Sequence, residues 1–227
     1  MAIFTIPEEY ELGLAEIFTL SDDSVQKILT ALEGIAPSIR YKSIAERVAS
    51  NVHDISKEVL EALEDIFEVL FSLNIIRTGA EVPTDIFVDD ICEAVSESGS
   101  ELLKEAAGVC GRFKPNLIKL LESKTLEIAS KSGMLLRESG QTYCSARILS
   151  DLRPVFSESV EDAPMAAMTV HTLKLTYHQG DRLKDFFLAM NTKDVQRLRE
   201  LLDRADAKAA SLRTLANASK MIYVDAE

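Results

Sequence analysis

Three histidines, three cysteines and two pairs of adjacent aspartates are the residues of this chain best suited to chemistry. His171 and His178 lie seven positions apart in a stretch that alternates apolar and polar, so they point to opposite faces and do not share a metal. Met165, Met168 and Met190 near His171 have the ligand types of a soft copper site. Packing is the commoner use of methionine at strand spacing. His53 falls at a helix start and reads as a surface residue. Cys92, Cys110 and Cys144 are odd in number and lack metal-ligand spacing, which suits reduced thiols in a cytoplasm. Gly108-Val109-Cys110-Gly111 would need a histidine base delivered by the fold to make Cys110 a nucleophile. A turn at a helix end is the simpler reading. Asp22-Asp23 and Asp89-Asp90 are neighbours in helical text, where adjacent side chains do not face each other. They read as caps and solvated faces. The chain has no Gly-x-Ser-x-Gly, no Cys-x-x-Cys, no phosphate loop and no His-Glu-x-x-His. The expectation is a protein without catalytic, cofactor-binding or metal residues.

The elements that position these residues are legible from periodicity. From Ala167 the odd positions Ala167, Thr169, His171, Leu173, Leu175 and Tyr177 form a mostly apolar face, and the even positions turn polar. His178-Gln179-Gly180-Asp181 supplies a turn. A second strand runs Arg182 to Met190, with Phe186, Leu188 and Met190 on one face and Phe187 and Ala189 on the other, which suits cover on both sides. An earlier strand spans Tyr143 to about Arg153, with Cys144, Ala146, Ile148 and Leu152 sharing a face and Pro154 ending the pairing. Arg147 and Arg153 lie opposite Ile148. The acidic stretch 157–164 reads as a loop. A long helix then starts at Asn191 or Thr192, where Asn191 and Asp194 resemble a capping box. Its seam is Val195, Leu198, Leu202, Ala205, Ala209, Leu212 and Ala216 at heptad steps, widened by Leu201 and Leu215. Intramolecular packing of that seam on one sheet face is expected, which leaves the other face for a partner.

Before this unit the text is helical. Pro7 and Ser21-Asp22-Asp23 mark starts, and a helix through Val25, Ile28 and Leu32 stops near Gly34. Another holds Ile44, Val48 and Val52, and a longer one runs from Asp54 or Ser56 through Leu73. Gly79 and Pro83 mark a break before a helix over 83–95. A short helix follows over about 101–109, and one opens at Pro115 and ends by Leu136. Ser139-Gly140 separates helical from strand-rich text, giving domains 1–140 and 141–227. The fold class is α+β: an acidic all-helical domain, then a small antiparallel three-stranded sheet with one long C-terminal helix.

Charge is divided the same way. Residues 1–140 hold 13 Lys+Arg and 25 Asp+Glu, and residues 141–227 hold 12 of each. An acidic first half repels phosphate backbones and disfavours nucleic acid as a partner. No apolar run approaches the ~20 residues of a membrane span, so no membrane partner is expected. The start, Met1-Ala2-Ile3-Phe4, carries no secretory pattern.

The stretch from His171-Thr172-Leu173-Lys174-Leu175-Thr176-Tyr177-His178-Gln179-Gly180, through Lys184-Asp185-Phe186-Phe187-Leu188-Ala189-Met190, to Asp194-Val195-Gln196-Arg197-Leu198-Arg199-Glu200-Leu201-Leu202 resembles the COMM-domain proteins. In that family a helical N-terminal domain precedes three antiparallel strands and a helix. The Trp usual in its first strand has no counterpart, since this chain has none. The resemblance implies that two C-terminal domains clasp each other and bury their sheet faces. It also implies an adaptor or assembly role without enzymatic activity.

The functional expectation is a cytoplasmic, non-enzymatic interaction protein that dimerises through residues 143–217, with itself or a related chain. Ile148, His171, Leu173, Leu175, Tyr177, Phe186 and Leu188 form the interface, and the acidic helical domain meets other proteins. The alternative is a ligand-binding or enzymatic protein with a pocket between helical domain and sheet near His171 and Arg147. A weaker third reading has the acidic half masking a basic protein.

Overall fold

The structure is a computed structural model and describes residues 5–138, 140–158, 161–180 and 182–224. Two compact units divide the chain, one running up to Leu135 (with Val224) and the other spanning Leu136–Tyr223.

The first unit holds seven helices: α1 Glu8–Thr19, α2 Asp22–Glu33, α3 Tyr41–Asn51, α4 Lys57–Ala80, α5 Thr84–Glu97, α6 Lys104–Leu121 and α7 Lys124–Arg137. Ser21 and Ser56 cap α2 and α4 by accepting from the backbone N–H three residues on. The core is continuous and apolar, with Ile17, Ile28, Ile44, Ile66, Phe67, Ile91 and Leu117 fully buried. The broad apolar face of α4 supplies Leu63, Ile66, Phe67, Leu70 and Phe71 to it.

Three local expectations are corrected here. Helix α4 runs through Gly79 and ends only at Ala80, where Glu81 takes a left-handed conformation. One interior glycine costs about 1 kcal/mol, which a packed helix absorbs. Pro115 does not open a helix but lies inside α6. Its ring and its missing donor concern the carbonyl of Gly111. Both residues are exposed, so water reaches that side of the helix. The break falls instead at Glu122-Ser123. Finally, Cys92 and Cys110 are not reduced thiols. Packing of α5 on α6 brings their Cα atoms to 5.7 Å, and they form a disulfide. Cys110 thus sits in a helix interior, not at a helix-end turn. Cys144 is free and exposed.

Helices α1 and α4 come close together at Gly13, where a side chain would meet the Asp65 backbone. One turn on, Glu16 Oε2 is buried without a partner. Burial, and secondarily the charge of Asp65, push the Glu16 carboxyl above the usual carboxylate range. The folded state therefore holds that proton more tightly than the unfolded chain. Its contribution to stability is present at acid pH and is lost as pH rises through the raised value. Glu16→Gln removes the penalty of the ionised form. It should raise the melting temperature at neutral pH, with the gain vanishing near about pH 4. Paired thermal melts across that range check this.

The second unit is a sheet of three antiparallel strands in the order β1-β2-β3 followed by α8. The strands are β1 Thr142–Val155, β2 Ala166–Gln179 and β3 Arg182–Met190, and α8 spans Thr192–Ala218. The sequence positions 181, between β2 and β3, and 159–160, between β1 and β2, lie outside the described residues, as do Met1 to Phe4, Ser139 and residues 225–227. Gly180 takes the positive φ the turn requires. Pro154 does not end the pairing, because Pro154 opposes Ala167 and Val155 opposes Ala166. β1 is an edge strand, so the missing N–H costs no ladder bond when it faces outward. The register shifts once, between Tyr143 and Ser145, leaving Cys144 as the extra residue of a bulge.

Helix α8 begins with a complete capping box. The Asn191 side chain accepts from the Asp194 N–H at 3.1 Å, and Asp194 Oδ2 accepts from the Asn191 N–H at 3.0 Å. The expected cover of a sheet face by this helix does not form within the chain. No residue of α8 is buried, and only Val195, Leu198 and Ala216 are half-buried. Nor is β3 covered on both sides, since all of it except Met190 is exposed.

Candidate interaction surface

Residues directly opposed in an antiparallel sheet project from the same face. The register therefore sorts the second unit without ambiguity. Ile148 opposes Leu173, which opposes Leu188. Ala146, Leu175 and Phe186 form the next row, and His171 stands between Ser150 and Met190. Tyr143, Tyr177 and Lys184 form a further row. Ile148, His171, Leu173, Leu175, Tyr177, Phe186 and Leu188 thus all lie on one face. Only Leu173 and Met190, at 9% and 7% exposure, are buried apolar residues of the unit among those described. Ile148, Phe186 and Leu188 remain about half exposed, and Leu152 at the end of the same face is 72% exposed.

The opposite face is mixed. Lys174 pairs with Asp185 at 2.8 Å, Thr176 donates to the same carboxylate at 2.7 Å, and the Lys174 ammonium lies over the Phe187 ring. The Lys174 hydrogen bond, then that of Thr176, hold the Asp185 carboxyl below its usual range. These groups satisfy one another in water. Arg147 and Arg153 belong to this second face, through their partners Lys174 and Met168. The sheet therefore separates Arg147 from His171 and does not bring them to one pocket.

Helix α8 adds a third bare surface. Leu201, Leu202, Leu212 and Leu215 are each 58–60% exposed. Large apolar patches of this kind are rare on monomers and mark contact sites. A unit with two buried apolar side chains among the described residues, and a 27-residue helix none of whose residues is buried, has little core of its own.

No family model and no curated protein matches the chain. Its architecture is a helical region followed by a three-stranded antiparallel sheet and a C-terminal helix. Among the described residues, no helix is long and apolar enough to cross a membrane.

The remaining sequence candidates are dispersed. Met190 opposes His171, but Met168 belongs to the other face and Met165 lies before the strand. His178 is exposed beside the turn, and His53 is exposed between α3 and α4. In the helical unit, a cavity of about 640 Å³ lies between α1 and α6, lined by Phe18 and Phe113 and by the charged Asp22, Glu105 and Arg112. Neither histidine nor cysteine lines it. One feature that sequence reasoning missed is the Ser150–His171 pair, whose Oγ and Nδ1 lie 2.7 Å apart. Its signal was the register: once Ile148 opposes Leu173, Ser150 must oppose His171.

Proposed function

We propose that the protein is a non-enzymatic adaptor that associates through its sheet and α8 with a second copy of itself or a related chain. One observation carries this reading: no residue of α8 is buried, and Leu201, Leu202, Leu212 and Leu215 stand exposed along it beside a sheet face on which Ile148, Phe186 and Leu188 are about half exposed. Beyond Leu198, about 20 residues of α8 extend roughly 30 Å at 1.5 Å per residue. A helix of that length holds its fold mainly through the packing of an apolar stripe. The order of elements agrees with the COMM-domain resemblance, which implies the same clasp of two C-terminal domains. The acidic helical unit, which folds around its own core, offers a separate surface to other proteins.

Light scattering on the full chain tests this. The expected mass at micromolar concentration is twice 25.1 kDa. A well-folded particle of 25.1 kDa would overturn the association of two copies.

A further inference from the structure

The apolar sheet face carries one polar pair near its middle, Ser150 and His171. Leu173 and Met190, the buried apolar residues of the unit, flank His171 along its strand and across it. Ser150 Oγ engages Nδ1 at 2.7 Å, and Nε2 has no hydrogen-bond partner among the described residues. We propose that this pair makes the association between copies sensitive to acid: a proton on His171 disassembles the dimer. The inference rests on the self-association proposed above.

The physical reason is the absence of a counter-charge. Histidine is the side chain that ordinarily gains charge between about pH 5 and pH 8. A charged imidazolium pressed against an apolar partner face loses water and receives nothing in exchange. On β1 this face offers Ser150, Ile148 and Leu152 to His171, with Tyr143 as its only other titratable paired residue. β2 adds Tyr177. β3 contributes Lys184 and Arg182, which are cationic and oppose Tyr177 and Gln179, six and eight residues along β2. The first turns of α8, the remaining element against β2 and β3, hold Lys193, Asp194 and Arg197. The Asp194 carboxylate is already engaged by the Asn191 N–H. Among the described residues no carboxylate of these elements forms an ion pair with His171. Two copies bring two such histidines, so the penalty enters twice.

Sedimentation velocity on the full chain reads the dissociation constant at about pH 7.5 and at about pH 5.5. The wild type should weaken by at least about tenfold at the lower pH. His171→Gln should dimerise with little change between the two. Should that variant fail to fold, the double variant His53→Gln/His178→Gln leaves His171 as the sole histidine and must keep the full wild-type slope. A flat wild-type profile with a persistent dimer overturns the acid response alone. A profile lost in the double variant also overturns it. A monomer at both pH values overturns the response together with the dimer it rests on.

Discussion

Replacing Leu175 with aspartate is expected to convert the proposed dimer, of twice 25.1 kDa, to a single chain at micromolar concentration. Leu175 occupies the middle of the apolar face. Ala146 and Phe186 oppose it across both neighbouring strands, and Leu173 and Tyr177 precede and follow it on the same side of β2. It is only half-buried within its own chain, so a carboxylate there remains hydrated in the monomer. Association would strip that water from it among apolar neighbours, and Lys184, its diagonal neighbour on β3, is the cation nearest along this face. An uncompensated buried charge costs about 3–5 kcal/mol, and partial pairing with Lys184 still leaves a loss of affinity of at least about tenfold. Leu175→Ala should fall between, because it removes apolar contact without adding charge. A second consequence follows from the small core of this unit. Once monomeric, its sheet and α8 have little to hold them, whereas the seven helices keep their own buried core. Limited proteolysis with trypsin should then cut first within α8, at residues such as Arg204 or Lys208, and leave the helical unit intact. A Leu175→Asp particle that keeps the mass of two chains and resists trypsin as the wild type does would refute the assignment of this face.

The elements were legible wherever a local signal decided them. Ser21 followed by two aspartates placed the start of α2, and Asn191 with Asp194 placed the start of α8, because capping is a contest settled within four residues. The alternation from Ala167 onward assigned His171, Leu173, Leu175 and Tyr177 to one face, and the register joins Ile148, Phe186 and Leu188 to them. What could not be read was decided by distant neighbours. Gly79 and Pro115 are breakers in isolation, yet α4 and α6 pass through them because each helix buries an apolar stripe in the common core. Pro154 is tolerated because β1 is an edge, a fact of strand order and not of composition. Cys92 and Cys110 are 18 residues apart, and only the packing of α5 on α6 makes them neighbours. The seam of α8 was legible as apolar, but periodicity does not say whose surface it meets. That this helix leaves most of its seam unpacked on its own chain is read from the exposure of Leu201, Leu202, Leu212 and Leu215.

The helical unit gives the second large effect, through a residue with no side chain. Gly13→Val should destabilise that unit by about 4 kcal/mol or more, above the usual 1–3 kcal/mol of overpacking. A Cβ at this position would lie 2.5 Å from the Asp65 carbonyl oxygen and 2.8 Å from Val69 Cγ2. The nearer obstacle is backbone of α4, which cannot swing aside as a flexible side chain would. Relief requires α1 to retreat, and α1 carries Leu14, Ile17 and Phe18 into the core. A retreat of even an ångström forfeits dispersion along all three. Glu16 and Asp65 lie on the same contact, so the shift would also admit water to the Glu16 carboxyl, which burial now holds above the usual carboxylate range. The variant should therefore melt far below the wild type, and the acid-side advantage contributed by Glu16 should shrink with it. Chemical denaturation followed by far-ultraviolet circular dichroism checks the size of the loss, and repeating it at acid pH checks the coupling. Wild-type stability in Gly13→Val would mean that α1 and α4 do not approach as closely as the contact between Gly13 and Asp65 requires.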